Sequence, residues 1–147
     1  MTSPTYLLDA NVLIALAYDG HDHKQRCDDW YATIQSCATC PSVEGSLVRY
    51  LIRIGHSFQT ASGTLADLTA DARHEFWPDS LSYGEVDLAR VIGHRQVTDA
   101  YLVSLVRAHP GSKLATLDEG LALMYPDVVE LIPELPVSPE DTEGEDR

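Results

Sequence analysis

Four acidic residues each follow a short apolar run or open a helical one. Asp9 follows Tyr6-Leu7-Leu8, Glu44 comes soon after Cys37-Ala38-Thr39-Cys40, Asp99 follows Val97-Thr98, and Asp118 follows Leu114-Ala115-Thr116-Leu117. Carboxylates brought within a few ångströms repel one another and rise in pKa unless a cation stands among them. No basic residue is placed in the sequence to pair these four. A hard divalent cation with oxygen ligands, Mg²⁺ or Mn²⁺, relieves the repulsion. Such an ion lowers the pKa of water and stabilises charge on a phosphate in transfer. Each acid also has an ordinary structural reading. Glu44 or Asp99 alone suits a helix cap or first turn, where it complements the helix dipole, and Asp118-Glu119-Gly120 alone suits a turn. Asp9 is harder to explain that way. It sits between Tyr6-Leu7-Leu8 and Val12-Leu13-Ile14, where burial without a partner is costly.

Whether the acids meet depends on the elements that carry them. Residues 5–9, 37–40, 113–117 and 128–132 read as short strands, with a further one near 75–77. Helical patterns cover 11–18, 23–35, 43–56, 62–73, 84–92, 99–108 and 119–124, with Ser42 and Thr98 as N-caps and Pro110-Gly111 as a stop. Strands alternating with helices predict an α/β fold, a three-layer α/β/α sandwich around a central, mainly parallel five-stranded sheet. In open sheets of this kind, ligands sit beyond the carboxyl ends of the strands. Asp9, Glu44 and Asp118 fall there, and Asp99 joins them if its helix starts near the same edge.

Composition bounds the rest. A chain of 147 residues, 44% of them hydrophobic, supports one domain, expected over residues 1–133. Residues 134–147 form an acidic, proline-containing tail expected to be disordered. From Pro133 onward there are six acids and one arginine, a net −5, which leaves −8 of the total −13 on the body. That balance opposes general nucleic-acid binding, which depends on phosphate attraction, unless the carboxylates hold a cation that reverses the local sign. Three cysteines cannot all pair, which suits a reducing compartment. Cys37 and Cys40 lack a second pair to complete a zinc site and read as buried thiols. No apolar run approaches the roughly 20 residues of a membrane span, and Met1-Thr2-Ser3-Pro4 carries no positive residue of a secretory leader. The expected location is cytoplasmic.

Four segments, taken in order, resemble PIN-domain proteins, and among them VapC-type toxins of type II toxin–antitoxin systems. They are Leu8-Asp9-Ala10-Asn11-Val12-Leu13-Ile14, Ser42-Val43-Glu44, Val97-Thr98-Asp99-Ala100-Tyr101-Leu102, and Leu114 through Leu121. The resemblance spans nearly the whole chain to Ile132. It implies a Mg²⁺-dependent endoribonuclease that hydrolyses RNA with a metal-activated water and leaves 5′-phosphate and 3′-hydroxyl ends. Asp9 and Asp99 would bind the metal most directly. Glu44 would hold metal or position the water, and Asp118 would complete the set. Asn11 and Thr116 would orient the acids through hydrogen bonds. Thr98 has a capping reading, with a site role beside it. The implied partners are RNA, a VapB-type antitoxin whose tail enters the acidic cleft, and a second copy in a homodimer.

Arg49 and Arg53, one helical turn apart, and Arg95 are candidates for RNA phosphate contacts or for a solvated surface. Two other functions compete. An aspartate-nucleophile phosphatase is expected to show D-x-D near the first strand and a later lysine, whereas Asn11 stands two after Asp9 and Lys113 is the only lysine in the second half. A PIN-like binding module without catalysis would have no chemical need for all four acids.

Overall fold

The computed structural model describes residues 3–135. Five strands, β1 (Thr5–Leu8), β2 (Cys37–Thr39), β3 (His74–Phe76), β4 (Ser112–Thr116) and β5 (Val129–Leu131), form one sheet in the order β3-β2-β1-β4-β5. Every pairing is parallel. Parallel neighbours need crossovers, and these run through α1 (Ala10–Ala17), α2 (Lys24–Tyr31), α3 (Pro41–Arg53), α4 (Phe58–Thr69), α5 (Val97–Arg107) and α6 (Glu119–Met124). The chain moves outward from β1 to β2 and β3, then returns to β4 and β5 on the other side. With right-handed crossovers, that reversal puts helices on both faces. The result is the expected three-layer sandwich around five strands.

A sheet covered on both faces favours strands that are apolar throughout rather than alternating. Leu7, Leu8, Ala38, Leu114 and Ala115 are all buried. Helix α5 is likewise apolar over most of its surface: Ala100, Tyr101, Leu102, Val103, Leu105 and Val106 are all buried. It packs on β4, which it meets through the Pro110-Gly111 turn. Gly111 has φ +80°, a conformation that a side chain would strain. Cys27, Cys37 and Cys40 are free and buried, and burial raises their thiol pKa values.

Several boundaries differ from the sequence reading. Helix α3 is capped by Cys40, with Pro41 in its first position, and not by Ser42. Proline's fixed φ and missing N–H suit that position, so the helix starts earlier and the Ser42 hydroxyl donates to Asp79 instead, at 3.0 Å. Helix α4 begins at Phe58, behind a Ser57 cap that accepts from Thr60 N at 3.1 Å. Thr98 is not the cap of α5: a 3₁₀ turn over His94–Gln96 runs into the helix, Gln96 occupies the cap position, and Thr98 lies exposed in the first turn. The helix expected over 84–92 is absent. A 3₁₀ turn over Tyr83–Glu85 is followed by irregular chain. Leu88 and Ile92 there are exposed, so no apolar stripe is available to hold a helix against the core, and Asp87 Oδ1 accepts from Ala89 N at 2.9 Å in a local turn.

The end of β5 is fastened by a buried arginine. Arg26 Nε donates to the Ile132 and Pro133 carbonyls at 3.1 Å each, and Nη2 also donates to Ile132. The expected acidic tail lies, from residue 136 on, outside the described residues. Among the described residues no helix is long and apolar enough to cross a membrane. Arg26→Ala leaves the Ile132 carbonyl buried without its donors, and should lower unfolding free energy by about 1–3 kcal/mol. Urea unfolding checks this through a lower midpoint at unchanged slope; an unchanged midpoint would show that the strand end is held by other contacts.

Candidate active site

The register of the sheet builds the site. Leu8 pairs with Ala115, so Asp9 comes level with Thr116, and its N–H extends the ladder to the Ala115 carbonyl at 3.0 Å. Asp9 also caps α1, with Oδ1 accepting from Ala10 N at 2.8 Å. Its Oδ2 accepts from the Thr116 hydroxyl at 2.7 Å. Thr116 Oγ1 in turn accepts from Asn11 Nδ2 at 3.3 Å and from Asp118 N at 3.1 Å. The Asn11 carbonyl accepts from Leu117 N at 3.2 Å. Asp118 caps α6 through Leu121 N at 3.1 Å. Asp9 is 7% exposed and Thr116 fully buried, so this network holds a charge inside the fold.

Helix α5 runs back to the start of β4, which leaves its own first turn at the carboxyl edge of the sheet. Asp99 stands in that turn. Together with Asp118, Gln96, Leu121, Met124 and Tyr125 it lines a cleft of about 120 Å³. Burial, then the charges of Asp9 and Asp118, push the Asp99 carboxyl up to about 6. Burial also raises Asp9, with Asp118 adding to the rise and the hydrogen bonds from Thr116 and Ala10 opposing it. Among the described residues the ion pairs join Lys24 to Asp19 and Asp28, Arg73 to Asp71 and Arg107 to Asp127. None reaches the four acids. Three carboxylates therefore share one electrostatic neighbourhood without a cationic side chain among them.

Glu44 is placed differently. It lies in the first turn of α3, and its Oε2 accepts from the Thr39 hydroxyl at 2.6 Å. Thr39 Oγ1 is also 2.7 Å from His74 Nε2. Glu44 and His74 line a recess of about 340 Å³ with Ser62, Thr69 and Phe76, distinct from the cleft of Asp99 and Asp118. Glu44 nonetheless follows the carboxyl end of β2 as Asp9 follows that of β1, and the two strands are adjacent and parallel. Burial lowers the pKa of the His74 imidazole, with the Glu44, Asp71 and Glu75 charges acting the other way.

The remaining candidates lie outside this network. Arg49 and Arg53 are exposed on α3, with the Arg53 guanidinium 5.5 Å from the Tyr50 ring centroid. Arg95 is exposed in the 3₁₀ turn before α5. The sequence reading missed Thr39, His74 and Arg90. Arg90 Nη1 donates to the Met124 carbonyl and its guanidinium lies 5.1 Å from the Tyr125 ring centroid, against the wall of the Asp99 cleft. Thr39 carried a usable signal: like Thr116, it is the last residue of a strand whose following helix carries an acid in its first turn.

An all-parallel sheet with carboxylates crowded at its switch point is the arrangement of a PIN domain, and the PIN-domain family model matches residues 6–125. Ribonuclease VapC29 of Mycobacterium tuberculosis is 53% identical over 130 residues, 88% of this chain and 97% of that protein. Ribonuclease VapC38 of the same species is 36% identical over 122 residues, 78% of this chain and 86% of the relative. In fold, the chain is similar to the crystal structure of Mycobacterium tuberculosis VapC20, a sarcin–ricin loop cleaving toxin. The TM-score is 0.69 at 16% identity, covering 88% of this chain and 100% of that one. VapBC2 from Rickettsia felis, bound to a DNA fragment from its promoter, gives a TM-score of 0.61 at 18% identity over 86% of this chain and 98% of that one. The chain belongs to the PIN-domain family, and within it to the VapC-type toxin ribonucleases.

The crowding of carboxylates has a measurable consequence. Between its ordinary value of 3.8 and about 6, Asp99 is more protonated in the folded chain than in the unfolded one. Proton uptake favours the folded state across that window, so this contribution is lost as pH rises from about 4 to about 6. In chelator, Asp99→Asn should raise unfolding free energy at neutral pH by about 1–2 kcal/mol, after allowance for solvent screening, and change it little at pH 4. Urea unfolding at both pH values reads the difference; a loss of stability at neutral pH would make the carboxylate a structural acceptor instead.

Proposed function

We propose that this toxin is a metal-dependent endoribonuclease that hydrolyses RNA phosphodiesters at the edge built by Asp9, Glu44, Asp99 and Asp118. The observation that supports it most is the crowding of buried Asp9, half-buried Asp99 and exposed Asp118, whose charges raise the proton affinity of Asp9 and Asp99 with no cationic side chain among them. The donors are all hard oxygens, the chemistry that suits Mg²⁺ or Mn²⁺. Among the described residues no three His, Cys, Asp or Glu side chains already converge on one ion position; Asp9, Asp99 and Asp118 are the residues that would hold the ion, with Glu44 at its flank. When bound, the cation supplies charge neutralisation and Lewis acidity toward the phosphodiester.

The chain's own groups do the rest. The Thr116 hydroxyl fixes the orientation of Asp9 through Oδ2, and Asn11 fixes Thr116 and the Leu117 N–H. Glu44 is engaged through Oε2, leaving Oε1 to accept a proton from the water that attacks phosphorus. Arg49, Arg53 and Arg95, all exposed, would position RNA by its phosphates rather than read its sequence. Thr98, exposed in the same turn as Asp99, stands beside the site without a capping role. A VapB-type antitoxin and a second copy of the chain are the proposed protein partners, and the cytoplasm the proposed setting. The catalytic domain would span 1–133, with 134–147 as an acidic appendage.

Incubation of purified protein with total cellular RNA, with Mg²⁺ or with chelator, tests the reading. Discrete cuts bearing 5′-phosphate ends are expected with Mg²⁺ and none with chelator. Asp99→Asn should slow cleavage at least about 100-fold. Cleavage that persists in chelator would overturn the metal dependence. No cleavage, together with no Mg²⁺ or Mn²⁺ binding by calorimetry, would replace the enzyme with a PIN-like binding module. The network around Asp9 gives a separate expectation. Thr116→Val keeps the shape of the core but removes the hydroxyl, and should slow cleavage about 10–100-fold while the circular dichroism spectrum is retained. Full activity in this variant would show that Asp9 needs no such support.

A further inference from the structure

We infer that His74 is a positioning residue for Glu44, acting through the hydroxyl of Thr39. The inference rests on the reading of Glu44 as part of the active site. It begins with a count of hydrogens. A threonine hydroxyl has one hydrogen to give and two lone pairs to receive. Thr39, buried at 1% exposure, gives its hydrogen to Glu44 Oε2, and the 2.6 Å separation is that of a hydroxyl on a carboxylate. Its second partner, His74 Nε2 at 2.7 Å, must then be the donor. The imidazole therefore carries a hydrogen on Nε2, and the chain of donation runs from β3 through β2 to the first turn of α3.

Thr116 makes the same arrangement on the other side of β1. There the hydroxyl hydrogen goes to Asp9 Oδ2, while Asn11 Nδ2 and Asp118 N donate to the oxygen. In both places a buried threonine at the end of a strand receives N–H hydrogens and passes its own to an acid of the site. N–H donation to the oxygen restricts the hydroxyl's rotation, because a hydroxyl hydrogen turned toward the donor meets another hydrogen. With His74 in place, the Thr39 hydrogen points at Glu44 and holds that carboxylate in one orientation. A threonine serving only to tie the strand to the helix would not need the ring.

The first measurement needs no RNA. Two-bond proton–nitrogen correlation spectra of the His74 ring, taken on the full chain in chelator, should show the Nε2–H tautomer. That preference should be lost in Thr39→Val. An Nδ1–H tautomer in the unsubstituted protein would overturn the inference, whatever the protein cleaves. The kinetic arm uses an RNA cut in the presence of Mg²⁺. His74→Ala should lower kcat about 10–100-fold with KM changed less than about twofold, and His74→Gln, whose amide can donate from a similar position, should recover most of the loss. Thr39→Val combined with His74→Ala should be no slower than Thr39→Val alone, because both break one path. Multiplying losses in the double variant, or full activity of His74→Ala beside an inactive Glu44→Gln, would overturn the positioning role while leaving Glu44 in the site. Full activity of Glu44→Gln would instead remove Glu44 from the reaction, and the tautomer would still decide the hydrogen bonding.

Discussion

The hydroxyl of Thr116 is the point at which the sheet, the first helix and the acidic site are joined. It gives a hydrogen to Asp9 and receives from Asn11 and from the backbone of Asp118, so a single side-chain oxygen ties the ends of β1 and β4 to the starts of α1 and α6. Without it, a carboxylate with 7% exposure between an apolar strand and an apolar helix would be a buried charge short of partners, a costly arrangement. Two N–H or O–H donors reduce that cost but do not remove it. The remainder is visible as raised proton affinity at Asp9 and Asp99. The fold thus holds negative charge where it is least comfortable, the condition under which the proposed cation would be favoured there.

The strand order explains why the discomfort is concentrated in one place. With β1 in the centre and the chain leaving it toward β2 and β3 before returning on the other side to β4 and β5, the connections on either side of β1 depart in opposite directions. The loops separate there and leave a crevice at the carboxyl edge. Asp9 faces that crevice from β1 and Asp118 from β4, and the first turn of α5 closes it with Asp99. The overall charge of −13 is unfavourable for RNA at long range. A cation in the crevice would reverse the sign locally, so attraction to phosphate would depend on the loaded site rather than on a basic surface.

Much of this was legible in the sequence because it depends on local signals. An apolar run ending in Asp9, a threonine two residues before Asp118, and an acid in the first turn of a helix are patterns within a few residues of one another. The errors fell where local signals compete. Ser42 and Thr98 are good caps by type, but Pro41 fits the first position of α3 so well that the helix starts before Ser42, and the 3₁₀ turn over His94–Gln96 starts α5 before Thr98. The helix expected over 84–92 had favourable residues but no face to bury, which only the tertiary structure reveals. His74 was not legible at all. Its relation to Glu44 depends on β3 pairing with β2 in the register that sets Cys37 opposite His74, a contact between segments more than thirty residues apart.

That register gives the short edge strand a purpose. Three residues pair too little backbone to stabilise a sheet greatly, and Glu75 and Phe76 of β3 are exposed. Yet β3 grips the end of β2 twice at the same residue: Trp77 N donates to the Thr39 carbonyl at 2.8 Å, and His74 reaches the Thr39 hydroxyl. The backbone contact fixes where Thr39 sits, and the side-chain contact fixes where its hydrogen points. Edge strands are usually weak places, open to fraying and to unwanted pairing. Here the edge is anchored at its carboxyl end, the end that faces the acids. The sheet therefore holds its two site threonines by different means: Thr116 is surrounded by the central strands and the helices they lead into, whereas Thr39 depends on a neighbour at the rim. The hydrogen bond that Glu44 accepts therefore rests on a residue gripped by one edge strand, while the one that Asp9 accepts rests on the centre of the fold.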